Sequence, residues 1–92
     1  METEQEWKDF LQSYDFMKVG QAINREQWEI AMMTVSRLER NSRKPGLEAM
    51  NRNLKELRNA ILAKNTNTAK NLLALVIQKR VQMLKHLQNL KK

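Results

Sequence analysis

The chain has no cysteine, one proline, two glycines and one histidine in 92 residues. Without cysteine there is no disulfide framework, no thiolate nucleophile and no cysteine-ligated metal site. Gly20 and Gly46 are too few and too far apart for a phosphate-cradling loop or a nucleophile elbow. His86 has Gln82, Met83, Asn89 and Leu90 at helical spacing, so it lacks both an orienting acid and metal co-ligands. The aromatics Trp7, Phe10, Tyr14, Phe16 and Trp28 all fall in the first third of the chain, mostly at core spacing, and form no base-stacking platform. The longest apolar run, residues 72–77, is far short of the roughly 20 residues a membrane span needs. The acidic first six residues carry neither the basic nor the apolar part of a secretory signal. These absences lead to the expectation of a single cytoplasmic domain, residues 1–92, with no enzymatic activity, cofactor or metal.

What remains reads as helix. In a first helix, about residues 3–23, Trp7, Phe10, Leu11, Tyr14 and Met17 recur three and four apart. Phe16, Val19 and Ile23 fall on the opposite side, with Gly20 among them, so the helix is expected to bend at Gly20 or to be gripped on two faces. Asn24 and Gln27 match a capping box for a second helix, about residues 25–41, whose stripe is Trp28, Ala31, Met32, Val35 and Leu38. Pro45 suits the first turn of a third helix, about residues 46–64, with Leu47, Met50, Leu54, Leu57 and Ile61 on one narrow stripe. The polar break at residues 65–68 is rich in N-cap residues and precedes a fourth helix, about residues 67–90.

Four helices with short connections predict an all-α, four-helix antiparallel up-and-down bundle, with a short right-angled solenoid as the alternative. A shift of 38 residues lays Ala22 and Ile23 on Ala60 and Ile61, and Ala31 on Ala69. Two duplicated helical hairpins are therefore a further expectation. The shift differs from the 34-residue tetratricopeptide repeat, and its landmarks are absent.

The last helix is the most unusual segment. Residues 71–92 contain no acidic residue and mix bases with apolar residues. Its core stripe is Ala69, Leu72, Leu73, Val76, Ile77, Met83, Leu84, Leu87 and Leu90, but Leu75 and Val81 project from opposite edges of it. Arg80 lies within the stripe and needs a carboxylate, a solvent-open groove or a subunit boundary, with Glu39, Glu48 and Glu56 as candidate partners. The other reading lets Arg80 snorkel out along Val76 and Leu84. Leu72, Leu75, Val76, Arg80 and Val81 are thus the candidate dimer or partner interface.

Charge is unevenly placed within a net of +7. Residues 1–30 hold seven acids and three bases, a net of −4, and residues 31–92 hold three acids and fourteen bases, a net of +11. Arg37, Arg40, Arg43 and Lys44 near the end of the second helix, with Lys79 and Lys85 on the fourth, form a candidate basic patch. Ile30 and Met33 lie off the second helix's stripe and are candidates for a protein contact. The functional expectation is a non-enzymatic protein–protein interaction or assembly module that forms a homodimer. Its rival is a nucleic-acid-associated protein contacting phosphate through the basic patch.

Overall fold

The computed structural model describes residues 2–89. Leu90, Lys91 and Lys92, which the sequence places at the end of the last helix, lie outside the described residues. Five helices follow in order: α1 (Glu2–Leu11), α2 (Asp15–Asn24), α3 (Trp28–Asn41), α4 (Glu48–Leu62) and α5 (Thr66–Asn89). The described residues contain no strand, and the fold is an all-α bundle. It is 42 × 19 × 19 Å, and the 24 residues of α5, about 36 Å at 1.5 Å per residue, run most of its length. Consecutive helices from α2 onward pack on one another, and α5 returns against both α1 and α2. Four rods are present as expected, but the first is divided into α1 and α2.

That division corrects the single helix expected over residues 3–23. In an unbroken helix, Phe10 and Leu11 would face roughly opposite Phe16 and Ile23. Both sets are buried, and three non-helical residues, 12–14, turn the chain so that each reaches the same core. The Ser13 hydroxyl accepts the Asp15 N–H at 3.2 Å and so opens the second segment. Phe10 and Phe16 then meet edge-on across the corner, centroids 5.4 Å apart, a pairing worth about 0.5–1.5 kcal/mol beyond its burial. Tyr14 and Met17, expected in the core stripe, are left outside at 64% and 58% exposure. Gly20 does not mark the break. It sits inside α2, where an added Cβ would stand 3.3 Å from the Leu73 Cδ2 atom, so it gives α5 room to approach.

The two tight turns are built alike. At the end of α2, the Gln27 N–H bonds to the Ala22 carbonyl and the Glu26 N–H to that of Ile23, with Glu26 at φ 53°. At the end of α4, the Asn65 N–H bonds to the Ala60 carbonyl and the Lys64 N–H to that of Ile61, with Lys64 at φ 55°. This is the Schellman arrangement, which satisfies the last carbonyls of a helix by a left-handed residue. Asn24 is therefore the last residue of α2 and does not cap α3, which begins at Trp28 with no side-chain cap. At the second turn the Asn65 side chain does cap, accepting the Thr68 N–H at 3.1 Å. Each bond pattern recurs at the same 38-residue shift that aligns the two Ala-Ile pairs in the sequence.

The α3–α4 connection is different. Pro45 stands in a turn and not in a helix, since α4 begins only at Glu48. The Leu47 N–H bonds to the Lys44 carbonyl at 3.1 Å and Gly46 has φ +87°, the geometry of a type II turn with Pro and Gly at its centre. Trp7 of α1 clasps this turn. Its indole N–H donates to the Pro45 carbonyl at 2.9 Å, and its ring fills the space beside Gly46. A Cβ on Gly46 would fall 2.0 Å from the Trp7 Cζ2 atom.

Gly46→Ala should therefore meet two penalties, a left-handed backbone and a collision with the indole. It is expected to lower stability by about 1–3 kcal/mol in urea unfolding, with loss of the Trp7 fluorescence environment. Gly20→Ala, which meets only one movable methyl, should cost less; an equal or larger loss there would show the Trp7 clasp to be unimportant.

Candidate functional site

Of the five residues expected to form an interface on α5, the structure leaves only part at the surface. Val76 is completely buried in the molecule's own core and can contact no partner, a correction that follows from α5 packing on α4 and α2 together. Leu72 is half-buried against that core. Leu75 and Val81 remain exposed, at 52% and 40%, and flank the apolar stripe of α5 on opposite edges. The five residues do not form one continuous seam.

Arg80 is held by a backbone carbonyl and an aromatic ring, not by a carboxylate. None of Glu39, Glu48 or Glu56 pairs with it. Its Nε–H donates to the Leu11 carbonyl, and its guanidinium carbon lies 5.2 Å from the centroid of the Phe16 ring. The Leu11 carbonyl is one of those left without an intrahelical donor when α1 stops, at the negative end of the helix dipole. A cation on α5 thus closes α1, and its charge rests on an aromatic face. Among the described residues no carboxylate pairs with Arg80.

This contact lies in a groove of about 410 Å³ between the α1–α2 corner and α5, walled by Tyr14, Met17 and Ile77. Tyr14 and Met17 are functional-surface candidates that stripe reading assigned to the core. The signal that they are exposed was the angular conflict between the stripe before residue 12 and the one after residue 15.

The three acids offered to Arg80 go elsewhere. Glu39 is buried and accepts from Arg43 at 3.0 and 3.2 Å, while its backbone carbonyl accepts from the Ser42 hydroxyl and the Asn51 side chain. Glu48, in the first turn of α4, accepts the Gly46 N–H at 3.2 Å. Its own N–H and that of Gly46 hold the Glu48 carboxyl below its ordinary value. Glu56 is exposed on α4.

The basic patch is partly neutralised from within. Arg37 makes a two-pronged pair with Asp15, at 2.7 and 3.0 Å, joining the start of α2 to α3. Bonding to Asp15, and then its charge, raises the Arg37 value above its ordinary range. Arg43 is the partner of Glu39. Arg40 and Lys85 are exposed, and Lys44 and Lys79 are half-buried. His86 is exposed as well.

A second groove, about 400 Å³, opens between α3 and α4. Trp28, Met32 and Met33 form one wall and Ile61 and Leu62 the other. Met33 and Leu62 are 68% and 70% exposed, among the least covered apolar side chains of the described residues. Met33 is legible as an off-stripe residue. Leu62 is found only once the fold sets it beside Met33. Among the described residues no cluster of three metal-ligating side chains occurs, and no helix is long and apolar enough to cross a membrane.

Removing the Arg80 side chain (Arg80→Ala) should cost about 1.5–3 kcal/mol, the range for a hydrogen bond to a charged group. The loss should be accompanied by faster amide exchange at Gln12 and Ser13, where α1 would fray. A second expectation concerns pH. Because the folded-state value of Glu48 is depressed below the ordinary 4.5, its contribution is present above that value and disappears as pH falls through the folded value. Wild type should lose stability relative to Glu48→Gln over that acid window, and parallel curves for the two proteins would rule the linkage out.

No protein-family model, no curated protein and no solved structure matches this chain.

Proposed function

We propose that this chain is a non-enzymatic helical module that acts by protein–protein contact, with a second copy of itself as the first partner to test. The observation that carries the reading is the groove between α3 and α4. Two largely exposed apolar side chains, Met33 and Leu62, come from different helices to one place and are backed by Trp28 and Met32. Singly exposed apolar residues are ordinary on a soluble protein, whereas a lined apolar groove marks a contact surface. Methionine suits such a surface because its unbranched side chain repacks against different partners. Leu75 and Val81 add exposed apolar area on α5.

The nucleic-acid alternative rests on the net charge of +7, and two of its six bases, Arg37 and Arg43, are already engaged by carboxylates. Counterion release requires bases that can be offered to phosphate, so these pairs weaken that reading.

Sedimentation over a range of concentrations tests the proposal. The wild-type chain should self-associate, and Met33→Glu with Leu62→Glu should shift it to monomer without lowering its thermal stability. Leu75→Glu examines the α5 surface separately. A wild-type monomer that co-sediments with mixed duplex DNA, and loses it steeply between about 50 and 200 mM salt, would replace protein contact by phosphate contact.

A further inference from the structure

The groove at the α1–α2 corner has a composition unlike that of the α3–α4 groove. Its walls are mostly apolar, from Tyr14, Met17 and Ile77 with the polar Gln12 and Ser13 beside them, and its floor holds a cation. Arg80 uses Nε for the Leu11 carbonyl, while its two outer nitrogens make no hydrogen bond within the described residues and remain reachable from solvent. No carboxylate lines the groove. The one acid at this corner, Asp15, is turned to α3 and occupied by Arg37. A half-buried guanidinium of this kind has been partly dehydrated without gaining a counter-charge, so it favours an incoming carboxylate more than a fully solvated lysine does.

Helical spacing carries the apolar and basic pattern past the groove itself. Val81 follows Ile77 by one turn of α5 and is exposed, and Lys85 follows Val81 by another. On α2, Lys18 follows Tyr14 by one turn and is exposed. An apolar strip therefore runs between basic residues, with a fixed cation at its middle. The complement is a segment with apolar residues on one face and carboxylates among and beside them. The net charge of +7 would draw such a segment in before contact.

We infer that the groove formed by Tyr14, Phe16, Met17, Ile77 and Arg80 is a docking site for an acidic amphipathic helix of another protein. A glutamate or aspartate side chain of that helix meets the outer nitrogens of Arg80. Its apolar residues lie against Tyr14, Met17 and Ile77, and flanking acids face Lys18 and Lys85. The inference rests on the reading of the chain as a protein-contact module, but it uses a different surface from the Met33–Leu62 groove and names a different partner.

Two synthetic peptides test it on the full chain. One is a helix with Leu and Glu at i, i+4 spacing, and the other has every Glu replaced by Gln. Binding is followed by the Arg80 Nε–H resonance and the Met17 methyl resonance. The Glu peptide should move both saturably and bind about tenfold or more tightly than the Gln peptide, as expected when one partner of a desolvated charge pair is removed. Arg80→Met should erase that preference. Because Arg80 also closes α1, Met17→Glu provides a variant at an exposed position; it should lose the Glu peptide, while Lys55→Gln, an equal change of net charge on α4, should keep it.

Equal binding of the two peptides, unmoved Arg80 and Met17 resonances, or retained binding in Met17→Glu would each overturn the inference. So would decanoate moving these resonances when neither peptide does, which would make the groove a fatty-acid cleft. Shifts produced by raising the concentration of the protein alone would also overturn it, in favour of a second copy as occupant. Loss of the Glu peptide leaves the Met33→Glu and Leu62→Glu experiment untouched, and a monomeric wild type leaves the peptide test untouched, so failure of one reading is distinguishable from failure of the other.

Discussion

The bond from Arg80 to the Leu11 carbonyl is the contact on which the α1–α2 corner depends. Two apolar faces that point in opposite directions along one sequence can enter a single core only if the helix is interrupted between them. The interruption leaves the carbonyls at the end of α1 without donors. A guanidinium from α5 takes one of them, and the Phe16 ring beneath it accepts the charge that the core would otherwise reject. The direction of α1, the edge-on meeting of Phe10 and Phe16, and the outward position of Tyr14 and Met17 all follow from this arrangement. The contact that closes the fold here also leaves a groove open beside it.

In the middle of α1, Trp7 holds the Pro45-Gly46 turn by one hydrogen bond and by filling the space a side chain would need. An acidic, ten-residue helix that would be marginal alone is thus fixed at two points of a basic bundle. The Asp15–Arg37 pair similarly ties α2 to α3, while Glu39–Arg43 closes the end of α3 locally. They spend charge of both signs inside the molecule, so the net charge overstates how many bases face outward together. The two grooves consequently differ in what they can recognise: one is soft and apolar, the other apolar around a cation.

The 3.6-residue period is strong enough in α3, α4 and α5 to place their buried residues directly from the sequence. Ala31, Val35, Leu38, Met50, Leu54, Leu57, Ile61, Ala69 and Val76 are all buried as their spacing requires. The same reasoning failed at residues 12–17: the apolar stripe changes phase there, but with neither glycine nor proline to mark a break the change reads as a bend at Gly20 or a helix gripped on two faces. It also misassigned Asn24 and Pro45. A capping-box pattern and a proline are each compatible with more than one local geometry, and here the left-handed Glu26 and the type II turn prevailed.

By itself, then, the sequence determined the helical class, the stripes that make the core, the excess of positive charge over residues 31–92 and the repeated Ala-Ile landmark of the two turns. These are properties of neighbours within one or two helical turns, and local spacing specifies them. Tertiary structure alone decided the partner of Arg80, the pairing of Arg37 with Asp15, and the meeting of Met33 with Leu62. Each of these joins residues from separate helices, and the relative placement of packed helices is fixed by how side chains interdigitate across the core, which no single helix records.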